Sequence, residues 1–290
     1  MNGAGIGDRP TIIITADDFG AAPEINEAVE RGHVDGCLTA ASLMVTGIAL
    51  DDAVARAKRL PMLGVGLHLV LVEGTPALPA DQLPDLVDAS GQFRTDMARA
   101  GVDMFFRPRV RQQLRAEIAA QFARFADTGL TLDHVNAHKH FHLHPTIAAI
   151  MLDIGKRHGL KASRAPIEPA GIIAAIEPTR RDMSMRVADT WARRLRGRFR
   201  RAGITMADQV FGLAWSGAMT RDRVAALVEH LPAGTSEIYF HPATRDDFAG
   251  HAPGYRYADE YAALIAPDVR SAIERRGAAL ARLGDLAGRP

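Results

Sequence analysis

Two neighbouring carboxylates, Asp17 and Asp18, follow an unbroken run of Ile flanked by Thr at residues 11–15. A run with no polar break suits a central parallel strand covered on both faces. Gly20 and Pro23 then end the strand, and a helical pattern begins near Glu24. The pair therefore falls at the carboxyl end of the first strand, the edge where α/β folds assemble their sites. Adjacent side chains on a strand diverge, so one Asp is placed to hold a metal while the other reaches a reacting water. The competing role is a helix N-cap. A cap needs one carboxylate, and here there are two.

His68 is the one polar side chain in the next strong apolar strand, residues 63–71 (LGVGLHLVL). Alone, such a histidine is more often a satisfied core residue than a ligand. Its weight comes from residues 131–145, TLDHVNAHKHFHLHP, which hold five of the eleven histidines, at 134, 138, 140, 142 and 144. In extended backbone His134, Asn136, His138 and His140 share one face. The tract starts like a strand and ends at Pro145, where a helical pattern opens, so it too lies at a strand's carboxyl end. A His-rich tract is often solvated loop or an adventitious metal binder. Asp18, His68 and one of these histidines nevertheless make an Asp-His-His set with open positions for water, the arrangement of a catalytic metal site.

The elements that must position these groups read as alternating strands and helices. Helical patterns cover residues 24–35, 50–60, 109–126, 146–158, 221–231 and 257–276, with strands near 38–45, 161–166, 208–213 and 237–240. Residues 72–108 show no strong period and read as a long loop over the sheet edge, a kind of segment that is usually functional or disordered. The last strand delivers His241 before Pro242, and residues 161–166 (KASRAP) deliver Arg164. Arg164 is expected either to orient Asp17 or a bound substrate with its fixed fork, or to form a surface salt bridge.

Composition sets the outer bounds. With 47% hydrophobic residues the chain can bury a large core, and a net charge of +1 gives no field of the kind that marks a nucleic-acid binder. The single cysteine, Cys37, excludes an internal disulfide and fits a reducing compartment. No secretory pattern opens the chain, and no apolar stretch approaches the ~20 residues that span a bilayer. The expected location is cytoplasmic, with a peripheral place at the inner membrane face as a further expectation.

TADDFG, VGLHL, HVNAHKHFHLHP and EIYFHPA, in this order and spacing, resemble the YdjC-like family of carbohydrate deacetylases. The resemblance runs from Thr11 to about Gly277, and HLVLVEG with HKHFHLHP is similar to the hopanoid biosynthesis-associated branch of that family. It implies a distorted (β/α) barrel of parallel strands, a single domain over residues 1–290 with insertions at about 72–108 and 167–206. It also implies removal of an acetyl group from an N-acetylated sugar. By motif position Asp18, His68 and His138 bind the metal and Asp17 is the general base, with Arg164, Asn136 and His140 as substrate contacts. Three positions depart from the wider family, which tends to have Asp at Asn136, a further His at Lys139 and Asn at Val70. They bear on substrate contacts rather than on the metal set.

The chemistry expected is metal-assisted amide hydrolysis. The metal lowers the pKa of a bound water toward ~7 and polarises the acetyl carbonyl. Asp17 takes the water's proton and His241 protonates the departing amine, while the metal and a backbone N–H hold the oxyanion. Zinc suits an Asp-His set, with magnesium, manganese and cobalt as alternatives. The substrate is expected to be an N-acetylglucosaminyl hopanoid glycolipid, or else a chitooligosaccharide or other soluble N-acetylhexosamine. Rivals of another class are a metal-dependent phosphoesterase and a non-catalytic glycolipid-binding protein.

Residues 179–202 stand apart, with nine Arg against two Asp. Met183, Val187, Trp191, Leu195 and Phe199 recur every four residues, which makes an amphipathic helix with a basic face. Such a helix suits an anionic membrane surface, with Trp191, Arg194 and Arg198 as contact residues. An outer barrel helix with a solvated Arg face is the plainer alternative.

Overall fold

The structure, a computed structural model, describes residues 9–178 and 183–287, with residues 183–188 described by backbone alone. In chain order its main elements are β1 (Thr11–Phe19), α1 (Pro23–Val34), β2 (Ala40–Leu43), α2 (Leu50–Arg59) and β3 (Gly64–Leu69). There follow α3 (Met97–Phe106), α4 (Pro108–Asp127), β4 (Val135–Ala137), α5 (Pro145–Arg157), α6 (Ala170–Ile176) and α7 (Met183–Arg201). The chain continues with β5 (Gln209–Phe211), α8 (Arg221–Glu229), β6 (Thr235–Phe240), α9 (Tyr257–Ile265), α10 (Pro267–Arg275) and β7 (Ala279–Leu280).

The strands form one curled sheet in the order β4-β3-β2-β1-β6-β5, with β7 also on β1, and every pairing is parallel. Isolated bridges Val135↔Ser163 and Ala162↔Thr205 carry hydrogen bonding beyond β4 toward the segment that leads into β5. The result is the barrel-like α/β architecture expected. β1 is its centre, and Ile12, Ile13 and Ile14 are fully buried, as a strand covered on both faces requires.

The end of β1 is where the geometry departs from a regular strand. β1 runs on to Phe19 rather than stopping at residue 15, and its register with β2 shifts between Ala16 and Phe19. Asp18 lies within that shift with φ 62°, a left-handed conformation that a residue with a Cβ rarely adopts. An irregularity of this kind re-aims side chains at a sheet edge.

Four readings of the chain are corrected. Residues 72–108 are not all loop: Ala80–Gln82 makes a 3₁₀ turn and Met97–Phe106 is a helix, whose N-cap Asp96 accepts from Arg99 N at 2.9 Å. The segment after β3 is also tied down. Gln121 of α4 bonds both Val70 N and O, at 3.0 and 2.6 Å, and its neighbour Glu117 accepts from Ala77 N and Leu78 N. The extended alternation over 134–140 stops at Ala137, because His138–Leu143 turns as 3₁₀ helix with Lys139 and His140 at φ 54°. Residues 257–276 are two helices, since Pro267 has no N–H to continue the first and pushes Ala266 to extended backbone.

The fourth correction concerns α7. Leu195 and Phe199 are buried in the main core, so they cannot also lie against acyl chains. Arg196 donates to Asp208 and Arg198 donates to Pro145 O at 3.0 Å, while Arg194 stacks on the exposed Trp191 ring at 5.1 Å. The side chains of two members of the expected stripe, Met183 and Val187, and all of residues 179–182 lie outside what is described. No described helix is long and apolar enough to cross a membrane.

Candidate active site

The carboxyl ends of β1, β3 and β4 bring Asp18, His68 and His138 together. His68 comes from within β3, where five apolar or glycine residues accompany it, and His138 is the first residue past β4. His68 Nε2 lies 3.3 Å and His138 Nδ1 3.1 Å from the same Asp18 oxygen, Oδ1. One ligand atom from each of the three falls within 4.8 Å of the others. His68 Nδ1 is engaged by Asn136 Oδ1 at 2.6 Å, which leaves Nε2 for the shared point. A partner of this kind on the far nitrogen orients a ligating histidine. Burial opposes the charge on Asp18, but the neighbouring His138 outweighs it and holds the carboxyl well below its ordinary value. The donor set therefore fits a divalent ion in type, spacing and charge.

Asp17 points to the other side of the β1 irregularity, into a buried ion network. Arg164 Nη1 meets Asp17 Oδ2 at 2.5 Å and Nη2 meets Oδ1 at 3.1 Å, a two-pronged grip. The same guanidinium donates from Nε to Glu237 Oε1 at 2.9 Å, and Thr15 Oγ1 donates to that oxygen at 3.0 Å. Burial would raise the Asp17 pKa; the charge and hydrogen bonds of Arg164 reverse this and keep it ionised. Asp17 and Glu237 thus share one guanidinium, while Asp18 beside them meets only imidazoles among the described residues, a place where a divalent cation would balance its charge.

Arg164 and Asn136 are not placed to touch a substrate. Both side chains are fully buried and neither lines the cavity over the site. Arg164 holds Asp17, one of its two expected roles, and Asn136 bonds Asp17 Oδ1 at 3.2 Å as well as His68. His140 does line the cavity, with Nε2 3.1 Å from Tyr239 OH.

That cavity measures about 810 Å³, and Asp17, Asp18, His68, His138 and His241 open onto it. Its far wall is aromatic: the rings of Tyr239 and His241 lie 5.6 Å apart and those of His241 and Tyr255 5.2 Å apart. Burial lowers the His241 pKa against the pull of Asp18 and Asp17. Glu260 of α9 accepts from His241 N and from Met219 N, and burial raises its own pKa to about 7. Glu168 accepts from three successive amides, Gly212, Leu213 and Ala214, at 2.9–3.0 Å and so shapes the rim.

Glu237, Tyr239, Tyr255, Glu168 and Glu260 escaped the reading of the sequence. Glu237 had a visible signal, an acid inside an apolar strand that reads SEIYF. Tyr239 shares that strand, and the others come from loops and a helix whose approach no local pattern encodes.

Residues 11–275 match the YdjC-like protein family. The chain belongs to that family. Among YdjC-like relatives, a carbohydrate deacetylase of Mus musculus is 30% identical over 302 residues, covering 96% of this chain and 95% of that one. A carbohydrate deacetylase of Brevibacillus brevis is 37% identical over 147 residues, a match that spans 51% of this chain and 56% of the relative. A solved protein of Enterococcus faecalis V583, named as a candidate cellobiose-phosphate cleavage protein, shares the fold with a TM-score of 0.74 at 23% identity, over 97% of this chain and 99% of its own.

Proposed function

We propose that this YdjC-like protein is a carbohydrate N-deacetylase, which uses water to split the acetamide of an amino sugar into acetate and the free amine. The observation that carries the reading is the Asp18, His68 and His138 donor set beside an Arg-gripped Asp17, at the floor of a cavity with an aromatic wall. Asp18, His68 and His138 would hold a divalent metal, zinc being the best match to the donors with magnesium, manganese or cobalt as alternatives. Once bound there it supplies Lewis acidity toward the amide carbonyl and toward water.

The chain's own groups do the rest. Asp17 stays ionised and accepts the proton that water sheds on attack, its two oxygens fixed by Arg164 so that no reorientation is needed. His241, across the cavity floor, gives a proton to the departing amine nitrogen, and its burial-lowered pKa makes it the stronger acid. Tyr239 and Tyr255 present faces and hydroxyls suited to a sugar ring, one apolar and one polar aspect per residue. His140 lines the cavity beside Tyr239, its Nε2 3.1 Å from the Tyr239 hydroxyl, and so helps set that ring's position.

The finer reading is a glycolipid substrate, N-acetylglucosaminyl hopanoid. Its support is the placement of α7, where Asp189 lines the cavity and Trp191, Arg193 and Arg194 in the next turn face solvent. A membrane-borne sugar could then reach the site past a basic, partly aromatic face that attracts anionic headgroups.

Mass spectrometry of products decides between these readings. The protein, supplied with divalent metal, is offered soluble N-acetylglucosamine oligomers and an N-acetylglucosaminyl glycolipid in anionic vesicles. Release of acetate with a matching free amine is the expected result, and preference for the vesicle substrate supports the glycolipid reading. Release of phosphate from phosphosugars without any deacetylation would overturn the proposal in favour of a phosphoesterase.

A further inference from the structure

Beneath the site lies a chain of polar side chains that the proposed chemistry leaves unused. Asp133 Oδ1 is 2.8 Å from His134 Nδ1, and His134 Nε2 is 3.0 Å from Ser42 Oγ. Asn136 Nδ2 is 3.0 Å from the same Ser42 Oγ. Serine, histidine and aspartate at these distances have the contacts of a nucleophile, its base and the base's orienting acid. The serine is nevertheless no nucleophile. Ser42 and His134 are fully buried, and neither lines the cavity. Both polar directions of Ser42 Oγ are also spent, one on His134 and one on Asn136.

The donors and acceptors can be ordered by chemistry alone. A carboxylate only accepts, so His134 carries its proton on Nδ1 and presents a bare Nε2. Ser42 O–H must donate to that nitrogen, which leaves its lone pairs to accept from Asn136. The Asn136 amide then spends one hydrogen on Ser42 and the other on Asp17 Oδ1, and its oxygen turns to His68. The opposite amide orientation would aim the oxygen at the Asp17 carboxylate. His68 therefore donates from Nδ1 and keeps Nε2 bare, on the side where Asp18 and His138 converge.

The geometry points to Ser42, His134 and Asp133 as positioning residues that fix the Asn136 amide and, through it, the tautomer of His68 that can ligate a metal. The inference rests on Asp18, His68 and His138 being the metal ligands. The chain is not a proton wire, because the Asn136 link is an amide that hands on orientation and has no proton to exchange along the path. β3 is cut to fit it: a Cβ at Gly66 would come within 2.5–2.6 Å of the His134 ring atoms. At the far end Asp133 is anchored in turn, accepting from Gly284 N at 3.0 Å. An asparagine at 136 supplies two donors and one acceptor in the directions needed; an aspartate there would supply acceptors only.

The test needs neither substrate nor turnover. Nitrogen-15 NMR of the metal-free wild-type protein at mildly alkaline pH should show His68 and His134 both protonated on Nδ1. Ser42→Ala leaves only Asp17 to orient the Asn136 amide, and should raise the Nε2-protonated fraction of His68 and weaken cobalt(II) binding by about 10- to 100-fold. Asn136→Asp keeps an acceptor for His68 and should retain its tautomer. A wild-type spectrum with His68 protonated on Nε2 overturns the inference, whether or not any variant folds. So does a folded Ser42→Ala protein whose His68 tautomer and cobalt affinity stay within about twofold of wild type. Failure of the deacetylase reading would appear as no acetate released, with these spectra unchanged.

Discussion

One backbone angle at Asp18 separates two carboxylates into two jobs. With φ at 62° inside a register shift, Asp18 faces the two histidines while Asp17 faces Arg164. The sequence showed both acids at a strand end, but simple strand alternation was not the reason they diverge. His241 is the residue whose role is most open to a direct test. Its ordinary value is about 6.5, and burial lowers it despite Asp17 and Asp18. A group that must be protonated to act fails as pH rises through its pKa, so the alkaline limb of kcat/KM is expected below that ordinary value. His241→Ala should erase this limb and slow amides about 10²- to 10⁴-fold while sparing activated acetate esters, whose leaving groups need no proton. Equal losses on both substrate types would make His241 part of the wall only.

Elements place these residues through a few polar contacts that cross between them. Glu260 is such a contact, because it joins α9 to the loop before α8 and to the end of β6. Its pKa is raised from 4.5 to about 7, so between those values the folded protein holds a proton that the unfolded chain releases. Folding stability from this group is full below its unfolded value and is lost as pH rises through about 7, a change of roughly 3 kcal/mol. Glu260→Gln carries no such titration. Urea unfolding across this range should show the stability of wild type falling relative to the variant as pH rises; a constant gap would show that Glu260 titrates normally.

Strands and most helices were legible because their apolar periods are long and their ends carry Gly or Pro. The short pieces were not. β4 has three residues, and the turn that presents His138 depends on positive φ at Lys139 and His140, which no periodicity announces. The helix at Met97–Phe106 hid in a segment with little regular patterning, although Asp96 was available as its cap. Asp18 and His68 of the candidate metal set were legible as polar exceptions in apolar strands, while the choice of His138 among five histidines came from the family resemblance. Of the supporting layer, Arg164 was legible as a holder of Asp17, but the roles of Glu237, Asn136, Ser42 and His134 were not, since their contacts join residues far apart in the chain, 92 to 119 positions for Ser42–His134, Ser42–Asn136 and Asn136–Asp17.

At the scale of the molecule, a parallel sheet curled around β1 gathers strand ends at one rim, and a buried polar network lies under that rim. The cost of burying Asp17, Glu237 and Arg164 is offset by their mutual pairing. Removal of one member leaves an uncompensated charge; this arrangement makes sense where the ionised Asp17 is required for chemistry rather than for folding. Asp18, His68 and His138 are proposed to hold the metal while Asp17 works beside it. Metal content and acetate release, measured on the same preparations of wild type, His68→Ala, His138→Ala and Asp17→Asn, test this. The two histidine variants are expected to lose metal and turnover together, while Asp17→Asn keeps its metal and loses about 10²- to 10⁴-fold in rate. Full metal occupancy in both histidine variants, or undiminished acetate release by Asp17→Asn, would contradict that assignment.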